Sequence, residues 1–168
     1  MSTRTLFKAG AVALIGLAAA LSGTANASTA TANMSVSATV VATCSVSAGS
    51  LAFGSYSGTA VTASADLSVT CTNDAPYTIA MDAGTGTDAT TSARLMTSSS
   101  DSTSTLSYGL YQDSSYATSW GNTTGTDTLA GTGTGDAQTI SVYGKIAASQ
   151  LSASTGSYAD TVVVTVNY

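Results

Sequence analysis

Residues 28–43 read STATANMSVSATVVAT, with a small or apolar side chain at every even position: Ala30, Ala32, Met34, Val36, Ala38, Val40 and Ala42. The odd positions are polar except Val41. A repeat of two is the period of a β-strand, whose successive side chains point to opposite faces, so this stretch predicts a strand with one apolar and one wet side. It stands ahead of the first cysteine, and two roles suit it: the first strand of its own domain, or a strand lent to another molecule. We expect both, with Ala30 to Val40 lent and the part from Val40 to Val46 belonging to the domain.

The residues before it have the make-up of an export signal. Arg4 and Lys8 precede a small and apolar run from Ala9 to Leu21, and Ala25-Asn26-Ala27 supplies an A-x-A cleavage site. Residues 1–27 are therefore expected to be removed after Ala27, leaving Ser28 as the first residue. The apolar run, about 13 residues, is shorter than the roughly 20 that a membrane-spanning helix needs, so no membrane insertion of the exported chain is expected.

What remains suits one domain. Past residue 27 the basic residues are Arg94 and Lys145, set against nine Asp and no Glu. Nucleic-acid affinity rests on Lys and Arg neutralising phosphates, so nucleic acid is a poor partner for this surface. Ser, Thr, Gly and Asn must cover most of it. So much Ser, Thr and Gly also suits disorder, but the regular β-patterned blocks argue against that.

Two cysteines in an exported chain predict one disulfide, Cys44 to Cys71, formed in an oxidising space such as the periplasm. Closing that loop is worth roughly 3–4 kcal/mol of unfolded-state entropy. With no histidine in the chain, the cysteines lack the partners of a zinc site.

Helical spacing is nearly absent after residue 27, and β-branched Thr and Val dominate. Strands are expected at 34–46, 65–72 with Leu67, Val69 and Cys71 inward, 77–82 with Tyr77, Ile79 and Met81 inward, and 105–111 with Leu106, Tyr108 and Leu110 inward. Two more follow at 138–147, with Ile140, Val142 and Ile146 inward, and at 158–168. Short pieces near Leu51 to Phe53 and Arg94 to Met96 are further candidates. In the last strand Val162, Val164, Val166 and Tyr168 share a face. Between these lie Asn73-Asp74-Ala75-Pro76, Gly84-Thr85-Gly86-Thr87-Asp88 and a Gly-rich stretch from Gly121 to Asp136, all turn and loop chemistry. The whole predicts an all-β sandwich.

Chemistry is scarce. The GTGTD and GTGTGD runs lack the Lys-Ser/Thr and following helix of a phosphate loop, and they lack the D-x-D-x-D-G spacing of a calcium loop. The absence of histidine removes the commonest general base and the relay of a serine nucleophile. Lys145 falls on the strand face opposite Ile140, Val142 and Ile146, where a solvated lysine is the ordinary outcome and an isopeptide crosslink has no identifiable partner. Asp82 with Asp88, or Asp127 with Asp136, are better explained as loop residues than as catalytic pairs. No enzyme activity and no cofactor are expected. Trp120, Tyr108, Tyr111 and Tyr116 could form a sugar-stacking platform, though aromatics on strands more often pack the core.

Several blocks occur in a definite order: Cys44, Leu51-Ala52-Phe53-Gly54-Ser55-Tyr56, Leu67-Ser68-Val69-Thr70-Cys71-Thr72 and Tyr77-Thr78-Ile79-Ala80-Met81-Asp82-Ala83-Gly84. They continue with Arg94-Leu95-Met96, Leu106-Ser107-Tyr108-Gly109-Leu110-Tyr111-Gln112-Asp113, Trp120-Gly121, Val142-Tyr143-Gly144-Lys145-Ile146 and the ending from Gly156-Ser157-Tyr158-Ala159-Asp160-Thr161-Val162 to Tyr168. In this order and spacing the chain resembles the spore coat U domain family, which includes Csu-type subunits of archaic chaperone-usher pili. One departure is Ala153-Ser154-Thr155, which lacks a proline expected before Gly156.

The resemblance implies an incomplete immunoglobulin-like β-sandwich that lacks its final strand and is completed by a donor strand from another subunit. It implies three partners: a periplasmic chaperone that lends a strand first, an outer-membrane usher where the exchange occurs, and identical or related pilin subunits. On this view residues 28–40 are a donor extension with Ala32, Met34, Val36, Ala38 and Val40 as its apolar face, and residues 41–168 are the pilin domain. Val162, Val164, Val166 and Tyr168 mark the C-terminal strand that pairs with chaperone or donor. A donor at one end and an acceptor at the other make a head-to-tail contact, which propagates into a filament. The length of one domain suits a shaft subunit at the cell surface, serving adhesion or biofilm formation. A secreted self-associating coat protein of the same fold and a glycan-binding module are the alternatives.

Overall fold

The computed structural model describes residues 26–168, and among them there is no helix. All but the last two residues of the expected signal segment, 1–27, lie outside the described residues. The chain divides after Ala38 into two units. In the first, residues 26–38 carry no secondary structure and every side chain is exposed, with Met34 and Val36 at 87% and 85%.

The second unit is built from nine strands: β1 (Cys44–Ala48), β2 (Val61–Cys71), β3 (Pro76–Met81), β4 (Arg94–Ser98), β5 (Thr105–Tyr111), β6 (Leu129–Thr132), β7 (Ala137–Ile146), β8 (Tyr158–Ala159) and β9 (Val164–Asn167). Six form one sheet in the order β1-β2-β7-β5-β4-β8, and three form a second in the order β6-β3-β9. All pairings are antiparallel. The longest ladder joins β2 to β7, from Val61 opposite Ile146 to Thr70 opposite Ala137.

The core follows from alternation. Leu67, Val69 and Cys71 of β2, Tyr77, Ile79 and Met81 of β3, Leu106, Tyr108 and Leu110 of β5, and Val142 and Ile146 of β7 form one buried cluster. Each strand's odd-even phase fixes which residues enter it. Trp120 joins them at 0% exposure, its indole N–H donating to the Ile79 carbonyl at 3.0 Å.

Four sequence expectations change. The strand expected at 34–46 begins only at Cys44: residues 26–43 carry no strand, their bonds to the domain are confined to Val41 and Thr43 against Thr72, and Val40 is 82% exposed. The strand expected at 158–168 is split. Its first part, β8, pairs with β4 in the larger sheet, while β9 pairs with β3 in the smaller one, so the chain changes sheets between Ala159 and Val164. Leu51 to Phe53 is not a strand. Conversely, β6 lies in the Gly-rich stretch read as loop. Gly131 belongs there because the Tyr77 ring lies against it and a Cβ would collide with that ring.

Candidate functional site

The two sheets do not close on each other. Between them opens a groove of about 1210 Å³, lined on its flanks by residues 48–58 and by residues 153–162 with Val164. Its deeper lining includes the core residues Leu67, Met81, Leu106, Leu110, Val142 and Ile146. An open cleft floored by core side chains is a hydrophobic interior with a piece missing.

The free edge of β9 adjoins this groove. Among the described residues β9 pairs only with β3. The Asp82 N–H donates to the Val163 carbonyl at 3.1 Å, which sets the phase of the ladder. In an antiparallel pair the backbone groups of successive residues point to opposite sides, so those of Val164 and Val166 turn away from β3. Their side chains and that of Val162 pack against the core, and Val162 and Val164 line the groove. Tyr168, expected on the same face, is instead 62% exposed.

One wall is the segment after β1. Leu51 and Phe53 sit over Gly144 of β7, where a Cβ would come within 2.8 Å of Phe53 Cζ and 2.9 Å of Leu51 Cδ2. Phe53 meets Tyr108 edge to face, with centroids 5.9 Å apart. The Tyr56 hydroxyl donates to the Ala147 carbonyl and accepts from the Gln150 N–H, both at 2.9 Å. The order Leu-x-Phe-Gly-Ser-Tyr thus describes a wall held at both ends.

The comparison with known families is decisive. Residues 30–165 match the Spore Coat Protein U domain. The chain belongs to that family. No curated protein matches this spore coat protein U domain by sequence. Among solved structures it is similar to a chain in the crystal structure of the CsuC-CsuE chaperone–tip adhesion subunit pre-assembly complex from archaic chaperone-usher Csu pili of Acinetobacter baumannii. Identity is 20% and the TM-score 0.59, covering 77% of this chain and 41% of that one. The likeness is one of fold, an incomplete immunoglobulin-like sandwich.

In this spore coat protein U domain the terminal motif acts as a fastener where the chain changes sheets. The Tyr158 hydroxyl bonds the Ser154 carbonyl at 2.7 Å and the Ser104 hydroxyl at 2.6 Å. Asp160 Oδ1 accepts from the Thr85 N–H and hydroxyl at 2.7 and 2.8 Å and from its neighbour Thr161 at 2.7 Å. Asp82 Oδ1 captures the Val163 and Gly84 N–H groups at 2.9 and 3.0 Å. Burial alone would push Asp160 upward, but donors from Thr85, Tyr108 and Thr161 outweigh it and hold the carboxyl below its usual range.

Arg94 is the element that sequence reasoning missed. It is 0% exposed, and its guanidinium donates to the carbonyls of Asp82 (2.8 Å), Thr91 (2.7 Å), Met81 (3.1 Å) and Trp120 (2.8 Å). One planar fork thereby ties the end of β3 to two loops. The only signal available was a lone cation in an otherwise uncharged strand.

The remaining candidates serve structure. Cys44 and Cys71, directly opposite in the β1–β2 ladder, form a disulfide with Cα atoms 4.1 Å apart. Trp120 and Tyr108 are core residues, which removes half of the sugar-stacking platform. Tyr111 and Tyr116 meet edge to face at 5.6 Å, with Lys145 Nζ 5.3 Å above the Tyr116 ring. Among the described residues no cluster of three or more His, Cys, Asp or Glu could hold a metal ion.

Proposed function

We propose that this spore coat protein U domain is a structural subunit of a chaperone-usher surface pilus and polymerises by strand donation. The observation that carries the reading is a complementary pair within one chain: an open groove beside the free edge of β9, and an exposed segment alternating apolar and polar residues. A strand added along that edge would satisfy the outward backbone groups of Val164 and Val166 while every second side chain enters the groove. Ala32, Met34, Val36, Ala38 and Val40 are the donated face. Burial of Met34, Val36 and Val40 would contribute about 1.5–3 kcal/mol each.

An unpaired edge beside an open apolar groove is an aggregation hazard, so a temporary strand must cover it before assembly. That role falls to a periplasmic chaperone, pairing with the strand of Val162, Val164 and Val166, with replacement by the next subunit at an outer-membrane usher. A subunit carrying both donor and acceptor can occupy interior positions of a fibre, which favours the shaft. The fibre would serve adhesion or biofilm formation at the cell surface, with no catalysis and no cofactor.

The test is Val36→Asp, or deletion of residues 28–38, in cells that assemble the fibre. The subunit should still be exported and folded, yet no fibres should form; fibres of normal length would refute the reading.

A further inference from the structure

Among the described residues, the cysteine, methionine and tryptophan side chains, those most easily oxidised, are shielded with one exception. Both cysteines are in the disulfide, and Trp120 is wholly buried. Met81 is in the core and Met96 is half-buried in the groove lining. Met34 stands alone at 87% exposure, on the alternating face of the extension with Val36 and Val40.

We propose that Met34 is an oxidative modification site through which a peroxide stops a subunit from donating its strand. The inference rests on the strand-donation reading above. In the step, a sulfur lone pair attacks one peroxide oxygen, an S–O bond forms, the O–O bond breaks and water leaves. Sulfur loses two electrons and the peroxide gains them. The product carries a polar oxygen in place of an apolar thioether.

The groove has little to offer that oxygen. Its deeper lining includes Leu67, Met81, Leu106, Leu110, Val142 and Ile146, none with a side-chain donor; the Tyr108 hydroxyl, also in the lining, already donates to Asp160, and the strand backbones are engaged in ladders. A buried acceptor without a donor is costly, whereas the same oxygen in the exposed extension is hydrated freely. Oxidation therefore spares the free subunit and penalises the donated state. An oxidised copy still presents its own groove, so it can end a fibre as acceptor but cannot extend one as donor. Reduction of the sulfoxide restores donation.

The test uses the exported full chain, treated with hydrogen peroxide until mass spectrometry shows Met34 as sulfoxide, with self-association followed by light scattering. Association should fall about tenfold or more, and methionine sulfoxide reductase should restore it. Met34→Leu, treated identically, should keep its association. Full association of chain sulfoxidised at Met34, or equal loss by Met34→Leu, overturns the inference, the second outcome placing the lesion at Met96. Deletion of residues 28–38 separates the two proposals. If the untreated deletion associates normally, strand donation fails; if it does not, while sulfoxidised wild type does, only the oxidation site fails.

Discussion

The Tyr108 hydroxyl donates to Asp160 Oδ2 at 2.7 Å, joining the middle of β5 to the point where the chain leaves one sheet for the other. Desolvation, then this bond to Asp160, push the Tyr108 hydroxyl well above the ordinary tyrosine range, while the same bond helps hold Asp160 low.

These opposed shifts predict a loss of stability at both ends of the pH scale. Asp160 has a depressed folded value, so its contribution is present above the unfolded carboxylate value near pH 4 and is lost as pH falls through the folded value. Tyr108 has a raised folded value, so its contribution is full below about pH 10 and is lost at higher pH. Urea midpoints should be flat between, falling on either side. Asp160→Asn should cost about 1–3 kcal/mol at pH 7 and soften the acid decline.

Arg94→Met removes a cation whose neighbours are four backbone carbonyls, three of them at the end of β3 and at Trp120. The orphaned acceptors should lower stability by about 3–5 kcal/mol by denaturant melts. Arg94→Lys should recover little of it, because an ammonium cannot reproduce the planar fork. Recovery of more than half would show that charge alone, not geometry, matters.

Gly144→Val would place methyl groups where Leu51 and Phe53 sit, forcing the groove wall outward. We expect a loss of about 1–3 kcal/mol and weaker fibre assembly. A variant with unchanged melting and normal fibres would mean that the wall yields without consequence.

Past residue 27, trypsin can cut only after Arg94 and Lys145. The first is wholly buried, and the second is paired on both sides within β7, opposite Thr62 and Gly109. Cleavage of the native chain should therefore follow global unfolding. Reducing the disulfide should accelerate it about 100-fold, as loss of roughly 3 kcal/mol requires. Rapid cleavage at Lys145 with the disulfide intact would reveal local opening of β7.

How much of this was legible depended on whether the deciding partner was local. Strands β2, β3, β5 and β7 could be read because each turns a period-two pattern into one buried face, and the phase of Leu67, Ile79, Leu110 and Val142 follows from it. The extension has the same period, yet residues 26–38 carry no strand, because alternation alone does not say whether a segment has a neighbour to pair with. Strand β6 was hidden because Gly131 is there to admit the Tyr77 ring, a long-range reason invisible in a Gly-rich run. The role of Arg94 could not be read from Arg94-Leu95-Met96, since its four acceptors come from positions 81, 82, 91 and 120. The break between β8 and β9 was masked by an unbroken alternation of Val162, Val164 and Val166, although Asp160 within it was the clue.

The disulfide has a mechanical consequence. Cys44 is the first residue of β1, and it is bonded to Cys71 at the far end of β2. A pull applied through the N-terminal segment cannot peel β1 away, because the load passes through sulfur to Cys71, the last residue of β2, and on into Thr72. The residues between the two cysteines are thereby held out of the load path, so they add no length under tension while the disulfide is intact.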